Sequence, residues 1–152
     1  MANFIPLHIH TGYSFLESGI LLERLFNQAQ KYNYQYLGIT DFEAMYGIPE
    51  FNMYAKKNNI TPIFGIDLSV DENKISLFVK NETGYKNLTQ LVAFKNKAKL
   101  GDFKLTLKDV KQFSEGLICV VPTEENAFFD VINDTTRAKM FEFCTVFENL
   151  FI

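Results

Sequence analysis

The sequence predicts an α/β fold with a largely parallel sheet. Short apolar runs alternate with amphipathic stretches of helical period along most of the chain. Gly, Asn and Asp clusters punctuate the two kinds of segment. Residues suited to chemistry fall at or near the C-terminal ends of the apolar runs, where α/β folds collect functional groups.

Ile5 to His10 reads as the first strand: Ile5, Leu7 and Ile9 alternate with Pro6, His8 and His10. Ser18 is placed to cap a helix reaching about Tyr32, with Leu21, Leu22, Leu25, Phe26 and Ala29 as its apolar stripe. Tyr36 to Thr40 is a short buried strand ending at Asp41. Pro49 suits the first turn of a second helix, which runs to about Lys57 and stops at Asn58 and Asn59. Thr61 to Val70 is the next strand, with Asp67 near its end. Asp71, Glu72 and Asn73 signal a turn into a hairpin partner, Ile75 to Val79.

Thr83 is placed to cap a third helix that turns Tyr85, Leu88, Leu91 and Val92 inward. Lys95 to Lys104 reads as a solvated connection. Thr106 and Asp109 have the spacing of a capping box for a short helix that stops at Gly116. Leu117 to Val121 is a further buried strand, and Asn126 to Leu150 is mostly helical in pattern.

Composition narrows the function. The 152 residues suit one domain, and 47 % hydrophobic with 22 % charged residues is a globular balance. With 16 Phe and no Trp, much of the core must be phenylalanine. A net charge of -3 argues against a domain that grips a nucleic-acid backbone by itself. Cys119 and Cys144 form neither a CxxC pair nor a disulfide framework. The opening MANFIPLHIH lacks the pattern of a secretory leader, and no apolar stretch nears the roughly 20 residues of a membrane span. A cytoplasmic location, with no membrane partner, is the default expectation.

His8 and His10, the only histidines, share a face if their segment is a strand, roughly 6.6 Å apart along it. They either converge on a metal or phosphate, or are unrelated. Glu17 precedes the expected helix start, where a carboxylate also complements the helix dipole. Asp41 is either functional or a local turn-former. Asp67 lies in an apolar run and needs a partner if buried. Two His with one or two carboxylates suffice for a single zinc or manganese ion, whose bound water could hydrolyse a phosphate ester.

Longer motifs add a resemblance. LHIHTGYSFLESG (Leu7 to Gly19) is similar to the LHxHSxYSxLDG that opens PHP (polymerase and histidinol phosphatase) domains of the polymerase type. ITDFEAMYGIPEF (Ile39 to Phe51) resembles LTDHGNMYGxxEF, and KKNNITPIFGIDLSV (Lys56 to Val70) resembles KKAGIKPIIGxExYV. LFVKNETGYKNLTQL (Leu77 to Leu91) and SEGLICVV (Ser114 to Val121) resemble the next two motifs, in the same order. GYKNL points to the bacterial replicative polymerase branch, the alpha subunit of DNA polymerase III.

The resemblance implies a distorted, PHP-type β/α barrel of mainly parallel strands, with a multi-metal cluster at the strand ends. Residues 1–152 would be the N-terminal portion of a single PHP domain, with the rest of the barrel and the polymerase regions elsewhere. His8, His10, Glu17 and Asp67 match metal-ligand positions, with Glu17 for the usual Asp and Asp67 for the usual Glu. Asp41 takes a supporting or structural role. Phe42 replaces the His of the TDH motif, Lys74 stands where a His is often found, and Thr123 aligns with a Cys. These departures imply a degenerate site with no catalytic residue here, holding no metal cofactor or one residual zinc or manganese ion. The expected role is a scaffold within a replicative polymerase, partnered by the remainder of the alpha subunit and meeting DNA only through the holoenzyme. The alternative is a metal-dependent 3′-5′ exonuclease or phosphoesterase that needs further ligands.

Overall fold

The computed structural model describes residues 4–71, 73–98, 104–122 and 134–151. The chain divides into two compact units, Met1–Ile66 and Asp67–Ile152.

In the first unit, α1 (Leu22–Lys31), β1 (Tyr36–Ile39), α2 (Ile48–Lys57) and the first half of β2 (Thr61–Val70) follow the expected order. β1 and β2 are parallel, in register from Tyr36 opposite Thr61 to Ile39 opposite Phe64. With α2 between them they form a βαβ unit. Leu22, Phe26 and Ala29 of α1 recur at helical spacing and face Ile48, Phe51 and Ala55 of α2 across a core that includes Leu37, Ile39 and Ile60. Phe26 meets Phe51 edge to face at 5.0 Å and stacks on Tyr54 at 5.7 Å.

The expected first strand is not a regular one. Gly38 N–H donates to the Pro6 carbonyl and Thr40 N–H to the Ile9 carbonyl, so three steps on one side match two on the other. Pro6 has no N–H to give, and the Ile9 N–H goes to Thr40 Oγ1 instead of to backbone. Alternation is lost: Ile5 and Leu7 are exposed, and Ile9 alone of the three packs against the core. The segment still lies close to β1, because a Cβ on Gly38 would strike the Leu7 carbonyl.

Ser18 does not cap α1. The helix begins at Leu22 with Leu21 at the N-cap and no capping side chain. Ser18 Oγ instead donates to the His10 carbonyl at 2.8 Å and accepts the Ile20 N–H at 3.2 Å. The Gly12 N–H to Ile20 carbonyl bond closes residues 12–20 into a loop ahead of the helix.

In the second unit the end of β2, then β3 (Asn73–Val79), β4 (Leu117–Val120) and β5 (Leu150–Phe151) are hydrogen-bonded neighbours in that order. β3 and β4 are antiparallel, Ser76 opposite Val120, whereas β4 and β5 are parallel, Cys119 opposite Leu150. The sheet is therefore mixed, which corrects the expectation of mainly parallel strands. The β2–β3 turn, with Asp71 at φ 47 and its carbonyl accepting the Asn73 side-chain amide, sends the chain straight back. No crossover helix intervenes there, and β5 begins at Leu150, the last residue of the stretch expected to be helical.

α3 (Glu82–Ala98) lies against β3 and β4. Its start is held by Asn81, whose Oδ1 accepts the Gly84 N–H, while Thr83 sits inside the helix. Leu88 and Leu91 are buried as expected, but Tyr85 is exposed. The helix takes in the start of the lysine-rich stretch, and Lys95 is buried; residues 99–103 lie outside the described ones. Gly116, at φ 74, approaches Gly84 so closely that a Cβ on either would strike the other's backbone.

The capping box of α4 (Leu107–Lys111) forms as expected between Thr106 and Asp109. Asp71 Oδ2 also accepts the Leu107 N–H at 2.7 Å. α5 (Asp134–Val146) occupies part of the expected C-terminal helical stretch; residues 126–133 lie outside the described ones.

Two outcomes follow from this packing. Gly38→Ala is expected to lose roughly 2 kcal/mol or more of stability, read as a lower urea midpoint, because the Leu7 backbone leaves no room for the added methyl. Burial pushes the Cys119 thiol up from 9.0 to about 12. Iodoacetamide at pH 8 should then modify exposed Cys144 and spare Cys119 until the chain unfolds. The Cys119 contribution to stability is complete below the unfolded thiol's pKa and declines as pH rises towards 12.

Candidate functional site

Asp41 stands two residues beyond the end of β1 and is 1 % exposed. Its Oδ1 accepts the Thr11 N–H at 2.6 Å and the Ser14 hydroxyl at 2.7 Å. The Thr11 hydroxyl lies within reach of both carboxylate oxygens, 3.0 Å from Oδ1 and 2.8 Å from Oδ2. Having donated to Asp41, Ser14 Oγ accepts the Phe42 N–H at 3.0 Å, and Thr11 Oγ accepts the Tyr13 N–H at 3.3 Å. Donors 27 and 30 residues away thus converge on one buried carboxylate. Gly47 closes the other side: a Cβ there would stand 2.7 Å from Asp41 Oδ2 and 2.9 Å from the Tyr13 ring.

His8 and His10 lie together in the same unit, their rings edge to face with centroids 4.9 Å apart. His8 is exposed and His10 half-buried. Glu17 is exposed within the loop, where its N–H donates to the Ser14 carbonyl, and not beside a helix start. Phe42 shares the Asp41 network through its backbone, and its side chain carries only carbon.

In the second unit Asp67 is buried within β2, three residues before its end and not at it. Its Oδ1 accepts the Ser76 hydroxyl of β3 at 2.6 Å, the partner that a buried carboxylate requires. Lys74 is half-buried on β3. Thr123 lies outside the described residues.

One pair has no counterpart in the sequence reading. The Tyr13 hydroxyl donates to Glu50 Oε2 at 2.6 Å. That bond, and then the Glu50 charge, raises the Tyr13 phenol above its usual 10.0. Only the fold brings residues 37 apart together, so no local signal marked the pair.

The PHP domain family model matches residues 6–151, and the chain belongs to that family. The DNA polymerase III subunit alpha of Bacillus subtilis is 34 % identical over 131 residues, covering 81 % of this chain and 12 % of the relative. That of Rickettsia bellii is 33 % identical over 147 residues, covering 91 % and 12 %. The chain therefore spans about an eighth of these relatives. A solved structure from Bifidobacterium adolescentis, described as a putative metal-dependent phosphoesterase, matches with TM-score 0.65 at 13 % identity, covering 99 % of this chain and 77 % of its own. An amidohydrolase from Chromobacterium violaceum matches with TM-score 0.66 at 13 % identity, covering 96 % and 75 %. These two likenesses concern the fold.

Asp41→Asn keeps the shape but offers one acceptor oxygen to donors that now use two. It is expected to cost about 2 kcal/mol or more, measured by urea unfolding. Stability equal to wild type would mean that the network contributes nothing.

Proposed function

We propose that the chain is the N-terminal part of a PHP domain of a DNA polymerase III alpha-type subunit, and that it serves as a structural scaffold without chemistry of its own. The observation that carries this reading is the engagement of Asp41. Both of its oxygens are within hydrogen-bond reach of Thr11, and Oδ1 also accepts from Ser14. The neighbouring Phe42, in the place of the family's His, has no side-chain donor atom for a metal. Phe42 therefore does not fit the multi-metal cluster that the family resemblance implies, and Asp41 serves the loop in the supporting role expected of it. Similarity to alpha subunits across 81 % and 91 % of the chain supports a place inside a larger polymerase, where the rest of that subunit is the packing partner and DNA is met only through it. Among the described residues no helix is long and apolar enough to cross a membrane, which agrees with a cytoplasmic replication role.

A second reading, a metal-dependent 3′-5′ exonuclease or phosphoesterase, draws on the edge-to-face pairing of His8 and His10. Neutral imidazoles are zinc and manganese ligands. Together with Glu17 and Asp67 they make up the candidate set from the sequence for one residual ion, with Lys74 and Thr123 at positions where the family often has ligands.

The zinc, manganese and iron content of the purified, folded chain tests both, beside a His8→Ala, His10→Ala control. The scaffold reading expects substoichiometric metal in both samples and no nuclease activity in Phe42→His. Near-stoichiometric metal that the control loses, or strong metal-dependent hydrolysis in Phe42→His, would replace it with the second reading.

A further inference from the structure

We propose that the cleft between the starts of α1 and α2 is a binding pocket for one cationic side chain, arginine or lysine, presented by a polypeptide partner. The cavity measures about 370 Å³ and lies wholly within the first unit. That is the small end of the range for ligand pockets, a size suited to one long side chain.

Charge selects the ligand. Glu23 and Glu50 line the cleft, and its described lining holds no Lys, Arg or His. Each glutamate sits in the first turn of its helix, where the dipole contributes roughly +0.5 charge. Two carboxylates against two such ends leave about one negative charge, so a cation is favoured over an anion even though α1 has no capping side chain. Tyr13 and Tyr54 supply aromatic walls. Stacking on Phe26 holds Tyr54, and the bond to Glu50 holds Tyr13. Rings and carboxylates together suit a guanidinium or ammonium group. Ile20, Leu21 and Leu22 complete the lining with apolar surface for the methylene stem.

The rim selects a polypeptide over a free amine. Ile20 and Leu21 are exposed as well as lining the cleft, and the same loop exposes Phe15 at 85 % and Leu16 at 91 %. A small amine leaves that apolar surface in water, whereas a basic residue with apolar neighbours covers it. The inference rests on the packing role proposed above for the nature of the partner, and names what that partner presents.

Backbone-amide NMR on the 152-residue chain tests it. The probes are acetyl-Leu-Arg-Leu-amide, acetyl-Leu-Gln-Leu-amide, arginine amide and inorganic phosphate. The Arg peptide should shift the amides of Gly12, Tyr13, Glu23, Glu50 and Tyr54 and bind more tightly than arginine amide. Glu23→Gln and Glu50→Gln should each weaken it roughly fivefold; Gln at 50 keeps an acceptor for Tyr13, and each variant's spectrum reports its fold. Equal binding of the Gln peptide, arginine amide matching the Arg peptide, phosphate taking the site, or no shifts at these amides would each overturn the proposal. Metal content is measured separately, so stoichiometric metal beside Arg-peptide binding would remove the scaffold reading and leave the pocket.

Discussion

A carboxylate sealed from water needs donors around it, and Asp41 is that constraint in the first unit. At 1 % exposure it cannot fall back on solvent. Thr11 and Ser14 have to come to it, which folds the residues after His10 into a loop against the end of β1. The position of that loop then fixes other features. Its Ser18 bonds the His10 carbonyl, its Tyr13 reaches Glu50, and α1 starts later than Ser18 would suggest. One charged group thereby ties the entry segment, the loop and the start of α2 together.

The same constraint bears on chemistry. A carboxylate at a strand end in an α/β fold is well placed to hold a ligand, but one already engaged by protein donors has less to offer an incoming metal. Under the proposed scaffold role, polar residues at the family's metal positions stabilise the fold instead of binding an ion. Ser76 performs a comparable service for Asp67 in the second unit. Tyr13 and Glu50, outside the family's expected ligand set, instead line a cleft of their own.

Backbone proximity sets the architecture as firmly as the buried acids do. Gly38 lets the histidine-bearing segment lie against β1 without forming a regular strand. Gly84 and Gly116 do the same where α3 begins and the chain enters β4. Each lies inside a motif of the family resemblance or at its edge, ITDFEAMYG, KNETGYKNL and SEGLICVV, so part of what those motifs encode is close packing, apart from any chemistry.

The sequence by itself determined the family, the α/β class, and the elements whose cause is local. The parallel β1–α2–β2 unit, the Thr106–Asp109 capping box and the Asp71–Asn73 turn all follow from apolar period, caps and turn residues within a few positions. The clustering of His8 with His10 was also legible, because the two are only two residues apart, although the regular strand expected to align them did not form. Tertiary structure alone decided the rest. Whether Ser18 capped a helix or a loop depended on a carbonyl eight residues away. The mixed sheet depended on β3 pairing with β4 and on β5, a two-residue strand at the end of a stretch of helical pattern. The Asp41 network and the Tyr13–Glu50 pair join residues 27 to 37 positions apart. No periodicity encodes such contacts, because they exist only once separate elements have packed and a buried polar group must find its partner there.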